Sequence, residues 1–535
     1  MSKRFRLTKA SKILIVFLIV ALIGGGVFAG LKTGFIKTKT AASSDVKENV
    51  AAANKDTSSD SGTPSSENST KKTDGDTTIN LSLDEWTGWK SIIDGNQGLT
   101  TQPGSIYDKL GIKVNINIIN DATQSSNALI KGDLNAAGYT INRTAFLSQK
   151  FTDAGKEVVM PFITNYSNGG DGIIAKSSIQ SVNDLVGAKI GVPEFSEAQT
   201  LVVWFVNNSD LSDEQKSEII DNLVLFSTAD DTAKAFFAGQ VDVAATWEPY
   251  LTQAQNMTDA HVLFSTASST NLVMDGILFD KEFAEAHPDV VEKFIQGALE
   301  ASSMYDTEFD AVREVMPMFN TASDEDIIAS TKTAKLTTWK DNSDLLNGTA
   351  KTIYSDMCNV WTSIGESVNA SLVDAIFDDT YIDAIADNFN TTEVSNTETV
   401  KVTEENKQTI EDTQALLSGS ASVTFEKNTA KFSDSASASE ELDKFINIAK
   451  VLDGAIIEIA GNTDPNPNSD PLDEYNKKLS LQRAEAVKNY FIMNGISVDR
   501  IVVVGNGSSN PVVDNDTEEH RAMNRRTDVS FKIIE

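Results

Sequence analysis

The sequence predicts an α/β body followed by a smaller α+β domain, both carried outside a membrane by an N-terminal transmembrane helix. Three observations carry that expectation. Short apolar strands alternate with helical patterns from Ile79 onward, as in an α/β sheet. From Ser422 the pattern changes to two long amphipathic helices between strands. At the start, Lys3, Arg4, Arg6, Lys9 and Lys12 precede an uncharged run from Ile13 to Leu31.

Those nineteen uncharged residues, at about 1.5 Å each, can cross a hydrocarbon core of about 30 Å. The basic flank of residues 1–12 belongs on the cytoplasmic side, so the bulk of the chain faces outward in the cell envelope. A cleaved signal peptide competes with this reading, because Val27-Phe28-Ala29 is a passable cleavage site. The run is longer than an ordinary signal core, which favours a retained anchor. Residues 32–78 are rich in Ser, Thr, Asp, Asn and Lys, with no aromatic after Thr40, and read as a disordered linker. A second polar stretch, 388–421, reads as a spacer, with helix expected near Thr409–Leu417. The body is then 79–387 and the small domain 422–535.

Charge and composition exclude several functions. With 45 Lys+Arg against 77 Asp+Glu, the net charge of -32 opposes the phosphate neutralisation that nucleic-acid binding requires. One cysteine, Cys358, leaves no intrachain disulfide, and the three histidines are scattered, so neither a metal site nor a cofactor is expected. The chain has no Gly-x-Ser-x-Gly elbow, no phosphate-binding Gly-x-x-x-x-Gly-Lys loop and no Gly-x-Gly-x-x-Gly after a strand. Binding rather than catalysis is the expectation.

In the body, strands are expected at Ile79–Leu83, Val114–Ile119, Gly172–Ala175, Lys189–Val192, Val241–Ala245 and Leu272–Phe279. Helices are expected at Glu197–Val206, at Asp231–Ala238 and from Pro288, where Val291, Phe294, Ile295 and Ala298 share one face. In the small domain, strands are expected at Ser422–Phe425, Ala455–Ala460, Ile501–Val504 and Thr527–Ile534. Its helices should span Ser437–Leu452 and Leu479–Asn494, the second stopped by Gly495.

The ordered segments Gly132-Asp133-Leu134-Asn135-Ala136-Ala137, Asp171-Gly172-Ile173-Ile174-Ala175-Lys176, Asp184-Leu185-Val186-Gly187-Ala188-Lys189-Ile190-Gly191-Val192-Pro193 and Gly239-Gln240-Val241-Asp242-Val243-Ala244-Ala245-Thr246-Trp247-Glu248-Pro249 are similar to one family. They resemble the nitrate/taurine/aliphatic-sulfonate substrate-binding proteins of ABC transporters. The resemblance implies a type II periplasmic-binding-protein fold, two α/β lobes closing on a small solute, and an ABC permease as partner. It places the lobe crossings near Pro161 and Asn271. Strand ends and helix starts then nominate Trp86, Tyr139, Thr140, Asp171, Ser196, Glu197, Gln199, Thr200, Thr246, Trp247, Glu248 and Asp275 as solute-binding residues. Asp171, Glu197, Glu248 and Asp275 are acidic and no Lys or Arg is among the set, which favours an amine-bearing or zwitterionic solute. Asp242 is expected to be a turn residue.

The small domain resembles the OmpA-like peptidoglycan-binding domain through Ile459-Ala460-Gly461-Asn462-Thr463-Asp464, Asn476-Lys477-Lys478-Leu479-Ser480-Leu481-Gln482-Arg483-Ala484 and Arg521-Ala522-Met523-Asn524-Arg525-Arg526. The resemblance implies non-covalent binding of the peptidoglycan peptide stem at its diaminopimelate residue. Asp464 would accept the ammonium and Arg483 grip the carboxylate, with Asn428, Asn476 and Arg525 completing the pocket. A bare Asp464–Arg483 ion pair is the plainer alternative. The whole then reads as a solute receptor of an ABC importer, held to membrane and wall. The alternative is a wall-anchored sensor or structural envelope protein without a permease. An enzyme of thiazole or pyrimidine metabolism on the same fold is more distant, since such enzymes use His or Cys.

Overall fold

The computed structural model describes residues 77–389, 400–426, 428–464 and 474–534. The apolar run Ile13–Leu31, the linker up to Asp76 and Pro465, Pro467 and Pro471 lie outside them, while Thr78, expected to end the linker, already opens the first strand. Among the described residues, no helix is long and apolar enough to cross a membrane.

The body is built on two sheets. The first contains β1 (Thr78–Leu83), β2 (Lys113–Ile118), β3 (Ala136–Thr140), β4 (Val158–Ser167), β10 (Met274–Asp280) and β11 (Ala334–Leu336), in the order β11-β4-β10-β3-β1-β2. The second contains β5 (Asp171–Lys176), β6 (Ile190–Pro193), β7 (Val224–Phe226), β8 (Val243–Trp247) and β9 (Ala260–Ser265), in the order β7-β6-β8-β5-β9. In each, the early strands run parallel and those at the crossings run antiparallel. Helices cover the sheets; the Pro288–Ala301 helix buries Val291, Phe294, Ile295 and Ala298, its predicted face.

The chain leaves the first lobe later than Pro161. Strand β4 continues to Ser167 and every one of its residues is buried. Pro161 lies where the β4–β10 register shifts between Ile277 and Phe279, the kind of irregularity at which a strand tolerates a residue without an N–H. The crossing is therefore Asn168–Gly170, and Gly169 adopts φ 86° there. The return runs between β9 and β10.

The third sheet, order β12-β15-β13-β14, comprises β12 (Leu417–Ala421), β13 (Ile456–Asn462), β14 (Ile501–Gly507) and β15 (Thr527–Lys532). Its edge strand lies upstream of the expected Ser422–Phe425, which stays out of the sheet apart from a bridge from Phe425 to Phe432. Leu417–Ala421 has no β-branched or aromatic residue, and Gly419 is required because a Cβ there would meet the Phe445 ring at 2.9 Å. The helix expected up to Leu417 ends at Asp412. Helices Ser435–Val451 and Glu474–Met493 accompany this sheet, and Gly495 beyond the second takes φ 90°. At the return crossing, Ser269 Oγ donates to Val451 O at 2.6 Å and Gly454 N to Ser268 O at 3.1 Å, joining the small domain to the body.

Candidate functional site

Both crossings meet at one set of hydroxyls. Ser167 Oγ donates to Asp171 Oδ2 at 2.7 Å and lies 2.9 Å from Thr266 Oγ1, which also accepts from Gly169 N at 3.0 Å. Around this stitch the strand ends bring carboxylates together from both lobes. Asp84, just past β1, accepts from Trp89 Nε1 at 2.6 Å. Asp275 opens β10 opposite Thr140 and Asn165, Asp171 opens β5, and Glu197 starts the helix after β6.

Electrostatics show that these groups sense one another. Burial lifts Asp84 to about 6 despite its Trp89 hydrogen bond, with Glu197 adding to the rise and Arg143 opposing it. Asp84 nonetheless remains an exposed residue, so solvent tempers that rise. Asp171 is likewise lifted to about 6 by burial, with Glu197 adding. Asp275 is pushed well above the carboxylate range by burial and then by Asp84, Asp171 and Glu197. Its Oδ2 is buried without a hydrogen-bond partner. Trp86, which donates from Nε1 to Asn165 Oδ1 at 2.9 Å, partly offsets the rise at Asp275. Trp86 rests on Gly170, where a Cβ would lie 2.8 Å from the indole.

Across the cleft, Arg143 Nη2 pairs with Glu197 Oε2 at 3.1 Å, Arg143 Nη1 donates to Phe195 O at 2.6 Å and Thr140 Oγ1 donates to Glu197 Oε1 at 2.9 Å. Of the residues nominated from sequence, Trp86, Thr140, Asp171, Glu197 and Asp275 therefore converge, and Trp247 stands opposite Asp171 in register, 44% exposed. Others are engaged elsewhere. Glu248 accepts from Thr252 N and Oγ1, while its own N–H donates to Gly170 O at the crossing at 2.9 Å. Ser196 caps the Glu197–Asn208 helix, Gln199 accepts from Phe195 N, and Thr200 accepts from Asn142. Tyr139 Oη is 2.6 Å from Ser125 Oγ, and Thr246 donates to Ala229 O. Asp242 accepts from Lys189 N at 2.9 Å, the turn role expected of it. Asp84, Arg143 and Asn165 were not nominated. Asp84 shares the strand-end signal that nominated Trp86, whereas Arg143 is one turn into a helix and becomes visible only across the cleft. Among the described residues, no group of His, Cys, Asp and Glu is arranged to hold a metal ion.

A second charged site lies at the end of β13. Asp464 Oδ2 pairs with Arg525 Nη1 at 3.3 Å, and Arg525 Nη2 with Glu518 Oε1 at 2.7 Å. The partner of Asp464 is thus Arg525 and not Arg483. Arg483 is 7% exposed, donates from Nε to Thr429 O at 3.2 Å, and stacks its guanidinium 5.0 Å from the Phe425 ring centre. Burial, then Arg525, lowers its proton affinity while Asp464 raises it, so the three charges share one neighbourhood. Asn428, exposed at φ 59°, adjoins Thr429, and half-buried Asn476 lies one turn before Ser480 on the Arg483 helix.

Residues 105–305 match the NMT1/THI5-like family and residues 424–525 the OmpA family. The chain carries an NMT1/THI5-like domain and an OmpA domain. The OmpA domain is 47% identical over 76 residues to outer membrane porin F of Pseudomonas fluorescens, covering 14% of this chain and 22% of that protein. It is 39% identical over 90 residues to the peptidoglycan-binding protein ArfA of Mycobacterium bovis, covering 17% and 26%. The chain thus spans about a quarter of the length of these curated relatives. Among solved structures, the periplasmic aliphatic sulphonate-binding protein SsuA from Escherichia coli aligns with a TM-score of 0.44 and 15% identity, covering 57% of this chain and 99% of that one. The OmpA domain points to an extracytoplasmic location in the cell envelope.

Proposed function

We propose that this chain is the solute-binding receptor of an ABC importer, fastened to peptidoglycan by its OmpA domain and to the cytoplasmic membrane by Ile13–Leu31. The observation that carries the receptor reading is the convergence of Asp84 and Asp275 from one lobe with Asp171 and Glu197 from the other. A site assembled from two lobes at their crossings is completed when the lobes close on a solute. Its acidic lining favours an amine-bearing or zwitterionic solute, handed on to the permease.

The wall-binding reading rests on the family match and on the opposed charges of Asp464, Arg483 and Arg525. A diaminopimelate stem presents an ammonium and a carboxylate on one carbon. Asp464 suits the first; Arg483, held by Phe425 and Thr429, suits the second, with Arg525, Asn428 and Asn476 around them. Purified sacculi test it. Wild-type protein should co-sediment, while Asp464→Ala and Arg483→Ala should stay in the supernatant with the body's melting unchanged. Equal sedimentation of all three would refute the assignment.

A further inference from the structure

Resting on the receptor reading above, we infer that the solute presents an N–H-bearing cation, a protonated amine, to the pocket formed by Asp84, Asp171 and Asp275. The first ground is charge. Four carboxylates from four separate segments influence one another, and among the described residues the cation acting on them is Arg143, already paired with Glu197. Like charges gathered in a low-dielectric cleft repel an entering anion and attract a cation. The other titratable neighbours are Tyr139, which senses Arg143 and Asp84, and Tyr305, which senses Asp275; both are held neutral by burial.

The second ground is independent of charge. Asp275 is 4% exposed, and its Oδ2 has no partner within hydrogen-bond geometry because the nearby Trp86 Nε1 is directed to Asn165 Oδ1. Burial and the neighbouring acids hold the Asp275 proton in the unliganded protein; an entering cation favours its release to solvent, and the freed oxygen then accepts the ligand N–H. A quaternary ammonium would satisfy the charge but not the oxygen; a neutral amide would satisfy the oxygen but not the charge. A metal ion would need three or more ligands at coordination distance, and among the described residues no such group occurs. The protonated amine meets both demands. Trp86, lying against Asp275 and resting on Gly170, supplies an aromatic wall for the same cation.

The test uses the full chain with ethanolamine, choline and 2-hydroxyethanesulfonate, which share a two-carbon scaffold, together with putrescine and nitrate. Thermal shift with probes at about 10 mM is followed by calorimetry on any hit. The inference expects ethanolamine or putrescine to raise the melting temperature and to bind at least about tenfold more tightly than choline, with both anions silent. Asp275→Asn should weaken that binding by about tenfold or more, and Asp84→Asn, at the solvent-accessible edge, should do so without risk to the core. Binding of nitrate or the sulfonate alone would overturn the inference and leave the receptor reading standing. Choline binding as tightly as ethanolamine would overturn the N–H requirement, and unchanged affinity in both variants would overturn the site. Silence of ethanolamine and putrescine on a natively melting protein would overturn the inference and leave the receptor reading to a solute of another class.

Discussion

Replacing Asp171 by Asn should stabilise the body at neutral pH. Asp171 is 8% exposed, and burial lifts its carboxyl from an ordinary 3.8 to about 6, with Glu197 adding to the rise. The folded state thus holds the proton more tightly than the unfolded chain does. Well below 3.8 both states are protonated and the residue costs nothing; from there up to about 6 the unfolded chain gives up a proton that the folded state retains, and stability falls as pH rises. At about 1.4 kcal/mol per tenfold change in proton affinity, the gap from 3.8 to about 6 corresponds to about 3 kcal/mol at pH 7.5. Asn keeps the shape, can still accept from Ser167 Oγ, and carries no charge. All six tryptophans lie between Trp86 and Trp361, so urea unfolding followed by tryptophan fluorescence reports the body and not the OmpA domain. Asp171→Asn should raise the unfolding free energy by up to about 3 kcal/mol at pH 7.5 and by far less at pH 4. A loss of stability at pH 7.5, or an equal gain at both pH values, would refute the desolvation argument.

Two further predictions concern the scaffold beneath each site. Lys90 is fully buried, 2.6 Å from Asp94, with Tyr305 and Phe309 against its ammonium. Lys90→Met should cost about 3–5 kcal/mol by stranding Asp94, and adding Asp94→Leu should recover most of it, which the same urea titration measures. In the OmpA domain, a Cβ on Gly461 would lie 2.1 Å from Ser480 O on the helix that carries Arg483. Gly461→Ala should push that helix from β13, lowering the domain's melting temperature and sacculus binding together; wild-type values for both would show that the helix yields freely.

Local pattern accounts for much of the molecule. Alternation and helical periodicity located β1, β2, β5, β6 and the Pro288–Ala301 helix, because each buries a face whose repeat is written in consecutive residues. The same logic failed at β4, where Pro161 looked like an end but sits in a register shift, and at β12, whose Leu-Ser-Gly-Ser-Ala is a strand only because β15 pairs with it and Phe445 covers Gly419.

The sites divide in the same way. The sequence by itself determined the two domain types, the excess of acid and the strand-end positions of Trp86 and Asp171, since these follow from composition and from motifs contiguous in the chain. Only the tertiary structure decided which acids meet. It brought Asp84 into the group, set Arg143 against Glu197 across the cleft, and gave Asp464 to Arg525 in place of Arg483. Charge pairing depends on distances of a few ångströms between residues dozens to hundreds of positions apart, and those distances are set by sheet order and lobe approach, which no local repeat encodes.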